Sequence, residues 1–339
     1  MNNRAKYIAA AAQLGPVNPE DSKESVISRM FDLLVEATAH GAELIVFPEL
    51  CFTTFFPRYY ITDQVELDKF FETDVPLSLM TDIFKLIRAE ELIISFGYAE
   101  KENGTPFNTS VYVDSSRKII GKYRKIHLPG HYYNEPERPF QHLEKRYFKK
   151  GNLGFPTFDT NLGKRGMCIC NDRRWPETYR ELALQGCEVV TLGYNTPKHY
   201  PLAPAHDHLQ EFHNHLCMQS SAYANGLWVI ASAKAGLEDN CQLIGGSCII
   251  SPSGEIVAEA KTESDELVLA QIELAECKLI KENIFNFDLY RQPEEYKRIA
   301  KKKTKETIKP VKKTRGYNEN TCYKSKHNLR YDKKYRRNG

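Results

Sequence analysis

The chain has 339 residues, 41% hydrophobic and 11% aromatic, enough to bury a sizeable core in one large α/β domain or two modest ones. Its formal net charge of +3 singles out no partner, yet residues 301–339 hold fifteen Lys/Arg against Glu306, Glu319 and Asp332, making that segment +12 and the preceding 300 residues −9. No run approaches the ~20 apolar residues of a membrane helix, Met1–Lys6 is too polar for a secretory signal, and nine cysteines without a repeating spacing suit reduced thiols in a cytoplasmic protein.

Tyr7–Gln13 reads as a buried strand. Asp21-Ser22 offers an N-cap to a helix over Ser25–Ala39, whose Val26, Met30, Leu33 and Leu34 share one face. Leu44–Phe47 and Leu92–Ala99 are the next strands, and Ser110–Val113 with Lys118–Lys125 predicts a hairpin around Asp114-Ser115-Ser116. The strand Gly166–Cys170 runs into polar Asn171–Arg174, and Pro176 is placed to start a helix reaching Gln185. Val189–Leu192, Trp228–Ala233 and Ser247–Ser251 read as strands, with a helix over His208–Ala224 between the first two. Ile256–Ala260 and Leu267–Ile272 predict a last hairpin, after a turn at Pro252-Ser253-Gly254. No internal repeat is visible. Strand and helix do not alternate strictly, which favours a layered α/β sandwich over a barrel.

Cys170 stands where a strand gives way to a helix start, a bend that projects a thiol from a sheet edge and aims backbone N–H groups at a developing oxyanion. Arg173 and Arg174 nearby favour the thiolate. A buried structural cysteine is the competing reading, and Cys168 two residues earlier shows how little proximity decides. No second Cys/His pair matches Cys168-x-Cys170, so a metal site is not expected. A thiol attacking an amide needs a base and a cation. Glu49 follows the apolar run Leu44–Pro48, where burial raises a carboxyl pKa, and Lys125 closes Ile119–Arg124. Either residue alone reads as a solvated charge; together they need a fold that gathers them.

Phe47-Pro48-Glu49, Lys122–Leu128 and Gly166–Asp172 resemble the three signature segments of the nitrilase superfamily, in the family's order, with Glu49 and Lys125 76 residues apart and Lys125 and Cys170 45 apart. The resemblance runs from about Tyr7 to about Arg298. It implies a four-layer αββα sandwich and a triad of Glu49 as general base, Lys125 at the tetrahedral intermediate and Cys170 as nucleophile. Longer segments, among them His127–His131, Arg138–Phe148, Cys170–Glu177, Gly193–Pro197, His206–Leu209 and Ile284–Phe287, are similar to those of N-carbamoyl-D-amino acid amidohydrolases. That similarity makes Glu144 a second active-site glutamate. It assigns His127, His142, Asn171, Arg173, Arg174, Asn195 and Thr196 to the substrate pocket. The residue chemistry agrees: the guanidinium forks suit an α-carboxylate, although the arginines could instead pair with Glu177 or Glu181.

The expected reaction splits an N-carbamoyl-D-amino acid into D-amino acid, ammonia and carbon dioxide, with no metal or organic cofactor. β-Ureidopropionate, N-carbamoylputrescine and simple ω-amides are rival substrates. A rival of another class is a weakly catalytic scaffold whose basic segment binds nucleic acid or an anionic surface. The expected partners are a small N-carbamoyl amino acid and other copies of the chain, as a dimer or tetramer by analogy, with no membrane. Residues 1–300 are expected to form the hydrolase domain and 301–339 a disordered basic tail.

Overall fold

Strand β1 (Lys6–Gln13) turns Tyr7, Ala9 and Ala11 to one face and Ala10 and Ala12 to the other, all buried. A strand buried on both sides has no polar face to show, which is why the sequence reads as a continuous apolar run. The small alanines let layers approach closely from either side.

The computed structural model describes residues 5–74 and 80–301, and the chain divides into the units Met1–Pro293 and Glu294–Gly339. Within the first unit, β1 is followed by α1 (Lys23–Ala39), capped by the Ser22 hydroxyl as expected, then β2 (Ala42–Val46), α2 (Gln64–Asp68) and α3 (Thr81–Glu90). Next come β3 (Ile93–Glu102), β4 (Thr105–Val113), β5 (Ile119–Arg124), the one-turn α4 (Glu144–Tyr147), β6 (Thr157–Thr160) and β7 (Gly163–Ile169). Then follow α5 (Pro176–Leu184), β8 (Val189–Tyr194), α6 (Gln210–Asn225), β9 (Trp228–Ala233), β10 (Ala235–Glu238), β11 (Cys241–Ile244), β12 (Cys248–Ile250) and β13 (Ile256–Glu259). β14 (Glu266–Glu273) and α7 (Leu274–Leu279) follow, continued by a helical stretch over Ile280–Phe285 and the one-turn α8 (Phe287–Tyr290). Among the described residues of the second unit, Lys297–Lys301 form a short helix. The basic segment from residue 302 onward lies outside the described residues.

Two six-stranded sheets result, ordered β14-β1-β2-β3-β4-β5 and β13-β12-β9-β8-β7-β6. One apolar cluster joins Ala9, Ala11, Leu44, Val46 and Tyr112 of the first sheet to Met167, Val190 and Ile230 of the second, and continues to Tyr179 and Leu182 of α5 and Met218 and Ala222 of α6. A second cluster packs Val26, Met30 and Leu34 of α1 and Ile83 and Ile87 of α3 on the outer face of the first sheet. The layers are therefore helix, sheet, sheet, helix, the sandwich anticipated. Polar ties cross between the sheets: Tyr112 Oη lies 2.7 Å from Thr191 Oγ1, and Ser232 Oγ donates to the Ala12 carbonyl at 2.7 Å. No helix among the described residues is long and apolar enough to cross a membrane.

The hairpin at Asp114 forms as β4–β5, but the one expected from Ile256–Ala260 and Leu267–Ile272 does not. β13 pairs with β12, closed by the Gly254 N–H to Ser251 carbonyl turn, whereas β14 crosses to the other sheet and lies against β1 over eight residues. Strand alternation reports which face is buried, not which neighbour pairs. Strand β6 and the β10–β11 hairpin carry too few alternating apolar residues to stand out in sequence, whereas α3 sets Ile83, Phe84 and Ile87 on one buried face, a helical pattern that was there to be read.

Candidate active site

Glu49 leaves β2 through Phe47-Pro48 and enters a gap between the sheets. A Cβ on Gly97 of β3 would lie 2.8 Å from Glu49 Cα, and one on Gly193 of β8 would lie 2.5 Å from Glu49 N. Both strands need glycine there because the Glu49 backbone passes between them. The next residue, Leu50, has φ +45°, and Cys170 also has φ +45°, a left-handed conformation that a side chain adopts only under constraint. Cys170 opens the 3-10 turn Cys170–Arg174 directly after β7, so its sulfur projects from the strand end.

The fold brings Glu49, Lys125, Glu144 and Cys170 together, all buried. Lys125 Nζ lies 2.7 Å from Glu49 Oε1 and 2.6 Å from Glu144 Oε2. Asn108 Nδ2 donates to Glu49 Oε1 at 2.7 Å, and the Asn195 N–H donates to Glu49 Oε2 at 3.1 Å. Burial and the neighbouring Glu144 push the Glu49 carboxyl above its ordinary pKa, against the pull of Lys125. Glu144 is buried as deeply, but Lys125 and His142 overcome that penalty and hold it below the usual range. Burial disfavours the Lys125 ammonium, yet Cys170 and the two glutamates raise its pKa strongly. One carboxylate is thus fixed in charge while the other is tuned toward exchanging a proton.

Cys170 Sγ points at the Asn195 carbonyl oxygen, 3.8 Å away. Burial and Glu49 raise the thiol pKa, and Lys125 and Arg173 only partly offset them. The flanking arginines therefore do not leave a resting thiolate, contrary to the sequence expectation; the thiol needs its base.

The pocket residues divide by task. Arg173 is 1% exposed; its Nη1 donates to the Cys170 carbonyl at 2.7 Å and lies 3.7 Å from Sγ, and its Nη2 donates to Thr196 Oγ1 at 2.8 Å. Its guanidinium lies on the Tyr194 ring at 4.6 Å. Arg173 and Thr196 are thus spent on holding the Cys170 turn. Asn195 Nδ2 donates to the Glu49 carbonyl at 2.9 Å, and Asn171 Nδ2 to the His127 carbonyl at 3.0 Å. His142 Nε2 lies 3.1 Å from Glu144 Oε1, and His127 Nδ1 lies 2.8 Å from Asp172 Oδ1 with its ring stacked 4.5 Å from Trp175. Arg174 differs: it is exposed and makes no ion pair or hydrogen bond among the described residues, Glu177 and Glu181 included. Surrounding protein atoms and the adjacent Arg173 lower its pKa. The site therefore offers one free guanidinium, not a fork of two.

Sequence reasoning missed Asn108, which ties both glutamates together, and Asp172. Besides His127, the Asp172 carboxylate accepts from Tyr123 Oη at 2.8 Å and from the Ile169 N–H at 3.1 Å, joining the Lys125 and Cys170 segments. An Asn directly after Phe107, at the head of the strand-like run Thr109–Val113, was the available signal, because a buried amide demands a partner.

A buried thiol, a proton-exchanging carboxyl and a fixed ammonium can together attack an amide carbon and stabilise the oxyanion. Comparison with known proteins agrees. The chain is 28% identical to the citrullinase of Francisella tularensis, over 83% of this chain and 95% of that protein. It is 32% identical to the N-carbamoylputrescine amidase of Arabidopsis thaliana, over 78% and 86% respectively. The crystal structure of a carbon-nitrogen hydrolase from Helicobacter pylori shares the fold with a TM-score of 0.75 at 23% identity, covering 88% of this chain and 99% of that one. Residues 8–282 match the carbon-nitrogen hydrolase family, and the chain belongs to that family, the nitrilase superfamily.

Proposed function

We propose that the chain hydrolyses N-carbamoyl-D-amino acids. Glu49 takes the Cys170 proton as sulfur attacks the ureido carbon, and Lys125 with the Asn171 N–H stabilises the oxyanion. The carbon–nitrogen bond to the terminal amide breaks, Glu49 returns the proton, and ammonia leaves a thiocarbamate on Cys170. Water, deprotonated by Glu49 with Glu144 alongside, attacks that carbon and frees the thiol. The released N-carboxy amino acid loses carbon dioxide. One water is consumed per turnover, and amino acid, ammonia and carbon dioxide are formed.

The observation that carries this reading is Arg174, an exposed residue whose guanidinium has no partner among the described residues, four residues beyond the nucleophile. A free cation there suits a substrate with a carboxylate near its ureido group. The D preference comes from the resemblance of the long segments around His127, Glu144 and Cys170. The Arabidopsis and Francisella relatives favour a second reading, in which the ureido group sits on an amine or at the far end of an amino acid. Arg174→Leu separates a carboxylate-bearing substrate from the ureido amine, and citrulline in the same assay separates the two amino acid classes. The substitution is expected to lower kcat/KM for N-carbamoyl-D-alanine by about 10- to 100-fold, the worth of one charge-assisted pair, and to spare N-carbamoylputrescine. Equal loss on both, or loss on neither, would remove the carboxylate role.

The remaining expectations follow as part of this proposal. The enzyme works in the cytoplasm without a metal or organic cofactor in the reaction, as a homodimer or homotetramer. Phe212, Leu216 and Tyr223, exposed along α6, support pairing through the helical layer. The basic segment 301–339 is an accessory: its deletion should leave turnover intact and remove any retention on nucleic acid.

A further inference from the structure

Helix α6 and strand β13 bring together three side chains that the chemistry at Cys170 does not use. Glu211 and His215 stand four residues apart and so share one helix face. Glu259, the last residue of β13, meets them, and one potential ligand atom from each lies within 4.8 Å of the others. His215 is only 9% exposed. Its Nε2 is 3.2 Å from the Gly246 carbonyl oxygen, which can only accept, so Nε2 carries the proton. In the neutral ring Nδ1 then presents a lone pair, and it makes no hydrogen bond among the described residues. Instead it faces Glu259 Oε1 at 3.5 Å. A lone pair against a carboxylate, with a second carboxylate beside it, calls for a cation between them.

We propose that a divalent transition-metal ion of the zinc class binds here, held by His215 Nδ1, Glu259 and Glu211. One imidazole nitrogen with two carboxylate oxygens suits zinc-class ions, whereas calcium and magnesium prefer all-oxygen sets. The Gly246 carbonyl fixes the ring from behind, the outer support typical of a metal-bound histidine. Ligand atoms roughly 2 Å from an ion sit closer together than they do here, and the exposed Glu211 side chain can swing in to close the gap. Lys261 Nζ now lies 2.9 Å from Glu259 Oε2, but its side chain is largely exposed and yields to a dication. The ion clamps α6 to the edge of the second sheet. Gly246 O also accepts from Tyr194 Oη at 2.7 Å, and the Tyr194 ring carries Arg173, so the clamp braces the layer behind the nucleophile.

The test is calorimetric titration of the full chain with zinc chloride at neutral pH after chelator treatment, in a Cys170→Ala, Cys217→Ser background that removes the active-site thiol and the half-exposed thiol close to His215 in sequence. One equivalent should bind. His215→Gln and Glu259→Gln should each raise Kd by at least tenfold, and zinc should raise Tm in the parent but not in His215→Gln. Should His215→Gln fail to fold, the half-buried Glu259→Gln decides alone. No uptake by the parent would overturn the proposal. An unchanged Kd in the variants would also overturn it, placing the ion elsewhere.

Discussion

At the scale of residues, the reactive groups are set by burial against charge. Glu49 sits above its ordinary pKa and Glu144 below, so as pH falls Glu49 is the carboxylate that protonates first. The acid limb of kcat/KM should therefore lie above 4.5, the ordinary carboxyl value, since protonating Glu49 removes the base while Glu144 stays ionised. A limb at or below that value would argue that Glu49 is not the base. Glu49→Gln should lower kcat by about 10²- to 10⁴-fold with little change in KM, measured by ammonia release. Glu49, Lys125 and Cys170 could be picked out because each lies in a short segment that resembles a family signature, and the fold sets them side by side. The division of labour between Arg173 and Arg174 was not. Two adjacent arginines look alike in sequence, and only the turn at Cys170 decides that one guanidinium folds back onto Thr196 while the other faces solvent.

At the scale of elements, backbone proximity positions the base. Gly97 and Gly193 flank the Glu49 backbone on either side, so Gly193→Ala should shift it and cost about 100-fold in kcat, the penalty of an ångström-scale misplacement, with the protein still folded. Full activity in Gly193→Ala would show that the gap yields. The segment after Glu49 is held by a second buried network. Glu238 accepts from Arg58, from the Phe55 N–H at 2.8 Å and from the Val17 N–H at 3.1 Å, with Lys234 Nζ 3.3 Å away. Glu238→Ala would bury two cations without their partner and should cost about 3–5 kcal/mol in denaturant unfolding. Burial raises the Glu238 pKa, but Lys234 and Arg58 more than offset it and hold it below 4.5. Its contribution is therefore complete above that pH and is lost as pH falls through the depressed value. The sequence could not reveal this network, because Arg58 and Glu238 lie 180 residues apart. The positions of the long buried strands, by contrast, are local information; the short β6, β10 and β11 escape it, and at β13 and β14 the positions hold while the pairing differs.

At the scale of the molecule, the two sheets repeat one pattern. Read from β14 to β5 and from β6 to β13, each runs antiparallel, parallel, parallel, antiparallel, antiparallel. No sequence repeat betrays it, because burial patterns constrain residue class rather than identity. The repeat places the ends of β2 and β8 at equivalent positions in the two sheets, and there Asn195 after β8 binds Glu49 after β2. The site thus depends on both sheets, and a structure of one sheet alone would lack it. The apolar line on α6 belongs to this scale too. Phe212→Asp with Leu216→Asp should lower the mass seen in light scattering toward one chain; an unchanged mass would locate the contact elsewhere or remove it.

Substrate class and nucleophile are decided together by ammonia release from matched N-carbamoyl-D- and L-amino acids (alanine, methionine and phenylglycine), alongside N-carbamoylputrescine and citrulline, with Cys170→Ala as control. Release is expected from the D series and is abolished by the substitution, with little from the L series or from the amine. Release from N-carbamoylputrescine or citrulline alone would contradict the D-amino acid assignment while keeping the family. Release that survives Cys170→Ala would contradict the nucleophile itself.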